Sequence, residues 1–196
     1  MKRTLSVILE KEPGALVRVI SMINRRRFKF ESFTIGGCES KYFDRMTIVI
    51  INDNYQGQRE GDAVLQLIKQ LRRLINVIEV VDITFTATVQ RELMLIKIKV
   101  NSVERAEILA LMKIFRFKIV DTSPSMLMLE IIGDPGKIVA LEELLKNYEI
   151  IELIRTGKIG LMRDSSISNS SVAEFPQLIK KSFGQKYQTE MLKSNN

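Results

Sequence analysis

Apolar and polar residues alternate over residues 4–10, where Leu5, Val7 and Leu9 share one face and predict a strand. Glu12-Pro13-Gly14 interrupts the alternation. The period then lengthens: Leu16, Val19, Ile20 and Ile23 follow the i, i+3, i+4, i+7 rule and predict a helix over 15–25. Alternation returns over 28–36, with Phe28, Phe30, Ser32 and Thr34 on one face and Phe33 and Ile35 on the other. Past Gly36-Gly37, residues 43–51 predict a third strand, nearly continuously apolar from Met46 onwards. A loop over 52–61 leads to a second helix over 62–74, with Val64, Leu65, Ile68, Leu71 and Leu74 or Ile75 inward. A strand over 77–85 completes the order βαββαβ.

The rhythm then starts again. Residues 93–100 predict a strand, and Asn101 or Ser102 caps a helix running to Phe115, with Ile108, Leu111, Met112 and Phe115 on one stripe. Strands over 117–121 and 126–132, a break at Gly133-Asp134-Pro135-Gly136, a helix over 137–145 and a strand over 150–155 form a second βαββαβ. The fold class is therefore α+β: tandem ferredoxin-like units, each an antiparallel sheet with two helices on one face. The division expected is 1–86, 87–161, and a polar tail over 162–196 with a Ser-rich run and a short helix inside 175–192. A unit of about 75 residues has a marginal core, and its open sheet face and edges need cover. Association of copies, edge to edge or face to face, is the expectation.

Composition narrows the chemistry. The 196 residues include no His and one Cys, which excludes a His-based triad, a His-ligated zinc, an imidazole acid–base and a disulfide framework. Catalytic motifs are absent, and Cys38, with Glu39 beside it, has a neighbour that opposes thiolate formation. No catalytic residue and no metal ligand is assigned. The net charge of +7 is spread along the chain, and its densest run, Arg25-Arg26-Arg27, suits a helix C-terminus. No apolar run is long enough for a membrane span, and residues 1–4 enter a strand pattern at once. The expected compartment is the one of synthesis, with Ile and Lys abundance suiting a plastid stroma or a bacterial cytoplasm.

One corner invites a ligand. At Pro13-Gly14-Ala15-Leu16 a strand ends and a helix begins, so the N–H groups of Gly14, Ala15 and Leu16 and the helix dipole suit a small carboxylate. Gly14 lets the ligand approach the backbone closely. The same residues also suit an ordinary strand-to-helix turn.

The ordered set Thr4-Leu5-Ser6-Val7, Glu12-Pro13-Gly14-Ala15-Leu16, Arg18-Val19-Ile20, Phe30-Glu31-Ser32-Phe33-Thr34 and Arg45-Met46-Thr47-Ile48 resembles the small regulatory subunits of acetolactate synthase. In the second half, Arg91-Glu92-Leu93-Met94-Leu95-Ile96-Lys97, Ile119-Val120-Asp121 and Arg155-Thr156-Gly157-Lys158-Ile159-Gly160-Leu161 agree, and the resemblance spans about residues 1–163. It implies an N-terminal ACT domain, a second ACT-like domain and a homodimer through the ACT domains. It also implies a large catalytic partner that uses thiamine diphosphate, magnesium and FAD, with no cofactor in this chain. Feedback by valine, bound between two ACT domains, is implied at Lys11, Pro13, Gly14, Ala15, Leu16, Lys29 and Ile35, with Leu16 and Ile35 forming an apolar niche. Many members carry Asn or Asp in place of Lys11 and Asn in place of Lys29. A Lys cannot accept from the effector's ammonium, so weak or altered valine response is expected, unless Glu10, Glu12 or Glu31 supplies the acceptor. Nucleic-acid binding, the competing use of such sheets, needs exposed aromatics on central strands and an RNP1-type run that is not present.

Overall fold

The computed structural model describes residues 2–51 and 60–163, with the side chains of 60–62 undescribed. The loop expected over 52–61 falls almost wholly outside these residues, as does the tail beyond Arg163 with its expected helix.

The first sheet contains β1 (Lys2–Glu10), β2 (Lys29–Gly37), β3 (Phe43–Ile51) and β4 (Val77–Asp82) in the order β2-β3-β1-β4. Its pairs are all antiparallel. Helices α1 (Ala15–Arg25) and α2 (Glu60–Leu71) cover one face. Leu5, Val7 and Leu9 of β1 and Met46, Ile48 and Ile50 of β3 meet Val19 and Ile23 of α1 and Val64, Leu67, Ile68 and Leu71 of α2 in one core. The helical period starting from Val64 puts Leu67 inward and leaves Leu65 exposed. Ile75 lies past the helix end and is exposed, while Leu74 packs partly on the core.

Strand β2 departs from the expected alternation. A bulge between Phe30 and Ser32 inserts a residue into the ladder, so Phe30 pairs with Ile50 and Phe33 with Ile48. A single extra residue flips the alternation. Phe30 and Phe33 therefore share the helix-side face, their rings edge to face with centroids 6.2 Å apart. Ser32 and Thr34 lie on the opposite face, paired with Val49 and Thr47.

The second sheet has the order β6-β7-β5-β8, built from β5 (Thr88–Lys99), β6 (Lys118–Ser123), β7 (Met126–Gly133) and β8 (Glu149–Arg155). Helices α3 (Ser102–Phe115) and α4 (Pro135–Leu145) close its core over Met94, Ile96, Ile98, Leu127, Leu129 and Ile131. Asn101 caps α3 with a complete capping box: its side chain accepts from Val103 and Glu104 N–H, and Glu104 accepts from the Asn101 N–H. Asp134 caps α4 by accepting from Lys137 N–H.

The pattern did not predict β9 (Ile159–Met162), which pairs with residues 88–91 of an unexpectedly long β5. Four residues with a central glycine are too short to show alternation. The β5–β9 ribbon and the link through Ile83 lie over the first sheet's second face, where Thr4, Ser6, Ile8, Thr47 and Val49 are buried. Part of the cover that was expected from another copy thus comes from the chain itself.

Candidate functional site

The Pro13-Gly14 corner forms where β1 hands over to α1. Glu10 accepts from Glu12 N–H at 2.8 Å, and Glu12 accepts from Ala15 N–H at 3.1 Å, which closes the turn. Gly14 takes φ +83°, a left-handed conformation that favours glycine. Among the described residues no side chain caps α1, and its first turn holds no acidic residue. The two second-unit helices are capped by Asn101 and Asp134, so α1 alone of these three keeps its end open. The Ala15 N–H is already engaged, leaving Leu16 and Val17 to supply the outward amides of the first turn. Among the described residues, a Cβ placed on Gly14 would meet nothing within 4 Å, so they leave space beside the backbone here.

Lys11 sits at the rim. Its N–H donates to Tyr42 C=O at 2.9 Å, and its Nζ lies 3.3 Å from Asp44 Oδ1. The side chain reaches the end of β2, since a Cβ on Gly37 would stand 3.8 Å from that Nζ. Glu10 is anchored behind the corner: Asn76 Nδ2 donates to its Oε2 at 3.3 Å, and Arg18 of α1 donates to Asn76 Oδ1. Asp44 and Asn76 were not found from the sequence. Strand register and a distant loop bring them in, and neither leaves a local spacing.

Ala15 is buried, and Leu16 packs partly on the first core. Ile35 is exposed on β2, two residues before Gly37 and on the helix-side face with its partner Met46. Lys29 is elsewhere. It pairs with Ile51, which also pairs with Lys2, at the opposite end of the sheet from Glu10, Phe43 and Gly37. Within one chain, then, Lys11, Pro13, Gly14, Ala15 and Leu16 come together, Ile35 lies nearby along β2, and Lys29 is a strand length away. Of the alternative acceptors, Glu10 and Glu12 belong to the corner, whereas Glu31 is paired with Lys2 at 2.8 Å at the far end.

The central strands β1 and β3 present Thr4, Ser6, Ile8, Arg45, Thr47 and Val49 on the face away from the helices, and the one aromatic in that register, Phe43, is buried, so these strands offer no ring for base stacking. Among the described residues no cluster of His, Cys, Asp and Glu could hold a metal, and no helix is long and apolar enough to cross a membrane.

A family model described as an AHAS small subunit-like ACT domain matches residues 5–79, and one described as small subunit of acetolactate synthase matches residues 91–164. A probable acetolactate synthase small subunit of Archaeoglobus fulgidus is 42% identical over 165 residues, covering 83% of this chain and 98% of that one. A chloroplastic acetolactate synthase small subunit of Arabidopsis thaliana is 40% identical over 187 residues, covering 92% of this chain and 37% of the longer plant protein. The crystal structure of the acetolactate synthase small subunit from Thermotoga maritima matches with a TM-score of 0.73 at 29% identity, over 83% of this chain and 98% of that one.

Proposed function

Because the chain belongs to the acetolactate synthase small-subunit family, we propose that it activates a large catalytic subunit and carries feedback from valine to it. It is a regulatory subunit of branched-chain amino acid synthesis. Thiamine diphosphate, magnesium and FAD belong to the catalytic partner in this reading. Residues 1–86 form the effector-binding unit and 87–161 the second unit.

The uncapped start of α1 at Gly14 carries the reading. An amino-acid carboxylate would accept from the Leu16 and Val17 amides, favoured by the positive end of the helix dipole. Leu16 and Ile35 offer an apolar wall to a short branched side chain. Ile35 and Phe33 are exposed on edge strand β2, whose outer edge pairs with no other described strand. Antiparallel pairing of β2 with its copy would build a homodimer. It would also bring Lys29 of that copy towards the Gly14 end, which gives Lys29 its place in the site.

Valine would then stabilise one arrangement of the paired units. The catalytic partner would feel it through a coupling free energy, typically about 1–3 kcal/mol. The test is acetolactate formation by the large subunit alone, with this chain, and with this chain plus valine. Stimulation by the chain and inhibition by valine are expected; unchanged large-subunit kinetics under all three conditions would overturn the reading.

A further inference from the structure

The run Arg155-Thr156-Gly157-Lys158-Ile159-Gly160 has no part in the corner, yet it touches the first unit directly. Thr34 Oγ1 of β2 donates to the Thr156 carbonyl at 3.0 Å. Thr156 is itself fixed to the second sheet, since its N–H donates to Leu93 C=O at 3.1 Å and its Oγ1 accepts from Leu93 N–H at 3.2 Å. Gly157 has φ +79°, and a Cβ there would stand 3.0 Å from Ser32 Cβ and 3.1 Å from Thr34 Oγ1. A Cβ on Gly160 would stand 3.0 Å from Ile83 Cδ1. With its left-handed φ and Ser32 and Thr34 this near, Gly157 is needed for the backbone to lie this close to the first unit, whereas at Gly160 only the tip of the Ile83 side chain would have to give.

The contact of residues 156 and 157 with β2 has open space on both sides. A cleft of about 910 Å³ opens beside Ser32, Phe33, Arg155 and Gly157, towards Gly136 and Val139 of α4. A second, of about 350 Å³, opens beside Thr34, Ile35, Ile159 and Gly160. A tight contact between two voids leaves room for the units to rock about it.

We propose that residues 156–160 form a pivot strap through which an effector at the Gly14 corner acts on the second unit, with Thr34, Thr156 and Gly157 as its contact points. This deepens the regulatory reading above and rests on it. The strand that carries Ile35 also carries Ser32 and Thr34, so a shift of β2 on effector binding is imposed on the strap directly. Close-packed contacts switch between discrete arrangements and do not absorb such shifts smoothly. Thr34, Thr156 and Gly157 are positioning residues: they touch neither effector nor substrate.

The test uses the full chain reconstituted with its large subunit, in wild-type form and with Gly157→Ala, Thr34→Val or Thr34→Ser. Valine affinity is measured on the chain by calorimetry, and stimulation and inhibition are measured on the complex. With Gly157→Ala and Thr34→Val, valine affinity and effector-free stimulation should stay within about twofold, while the half-inhibitory valine concentration rises about fivefold or more. Thr34→Ser keeps the hydroxyl donor and should restore wild-type inhibition. Inhibition unchanged in both variants, or inhibition that falls only in step with affinity, would overturn the proposal. If Gly157→Ala does not fold, the Thr34→Val and Thr34→Ser pair decides. A wild-type complex that ignores valine sinks the regulatory reading itself, and the pivot with it.

Discussion

Arg155 Nε lies 2.7 Å from Glu92 Oε1, and the Glu92 carboxylate is almost wholly buried. Arg155 Nη1 also reaches Glu142 of α4 at 2.8 Å, so one guanidinium joins β5, β8 and a helix just before the strap begins. The hydrogen bond to Glu92 is the main reason the Arg155 pKa is raised, with both carboxylates adding attraction. Removing the cation strands a buried carboxylate. Arg155→Met should therefore cost about 3 kcal/mol or more in urea denaturation. Replacing both partners by Leu should recover much of that loss, because the stranded charge goes too. Equal losses in single and double variants would show that packing, and not the ion pair, is at stake.

Glu79 gives a pH signature. It sits half-buried on β4 opposite Ile8, and burial raises its pKa above 4.5, against the attraction of Arg72 and Arg45. An acid whose folded pKa exceeds its unfolded one holds its proton longer in the native state. Stability from this group is then present below the unfolded pKa and is lost as pH rises through the folded pKa. Glu79→Gln should raise the thermal midpoint at pH 7 relative to wild type, with the difference vanishing towards pH 4. A variant less stable at pH 7 would mean that the two arginines outweigh desolvation.

Both βαββαβ units were legible from period alone, because strands such as Leu5-Val7-Leu9 and helices such as Val19-Ile23 bury one clean face. The β2 bulge was not legible, since Phe30 and Phe33 fit either alternation until the partner strand fixes the register. Nor was β9, whose sense lies in pairing with Thr88–Arg91 and in packing on another sheet. At the site, Gly14 announced itself because a Pro-Gly step before an apolar helix has a local signature. Asp44 beside Lys11, and Thr34 beneath Thr156, are juxtapositions made by topology, and residues far apart in sequence carry no spacing to betray them.

Asn101 offers a check on α3 that is independent of any partner. Its side chain accepts from two first-turn amides at 2.9 Å each. Asn101→Ala should destabilise the chain by about 1 kcal/mol, and Asn101→Asp by much less, read as the shift in denaturation midpoint. An Ala variant as stable as wild type would mean that water satisfies that helix end equally well.

Gly14→Ala separates the fold from the effector. The left-handed φ of +83° makes any side chain costly there, by about 1 kcal/mol. The new methyl clashes with no described residue and stands beside the α1 amides. The variant should stay folded and still stimulate the large subunit, while valine affinity measured by calorimetry falls about tenfold or more, a loss of about 1.4 kcal/mol. Affinity within twofold of wild type would move the effector away from this corner.

On the proposed reading, Lys11 sets how strongly this chain answers valine. Its ammonium is held at 3.3 Å by Asp44, with side chains 42% and 24% exposed, so the pair contributes at most about 1 kcal/mol to stability. Losing it leaves the fold intact. Asn in its place removes a cation that repels the effector's ammonium and adds a carbonyl that can accept from it. Lys11→Asn should therefore lower the half-inhibitory valine concentration about tenfold, and Lys11→Met, which removes the charge without adding an acceptor, should fall between the two. Lys29→Asn provides the contrast. Lys29 stands at the other end of its own sheet, so it can act on the corner only from a second copy. If Lys29→Asn sensitises the complex and Lys11→Asn does not, the ammonium lies nearer the partner copy's strand than the Gly14 turn. If both sensitise and their effects add, the site is shared between two chains, with one cation contributed by each.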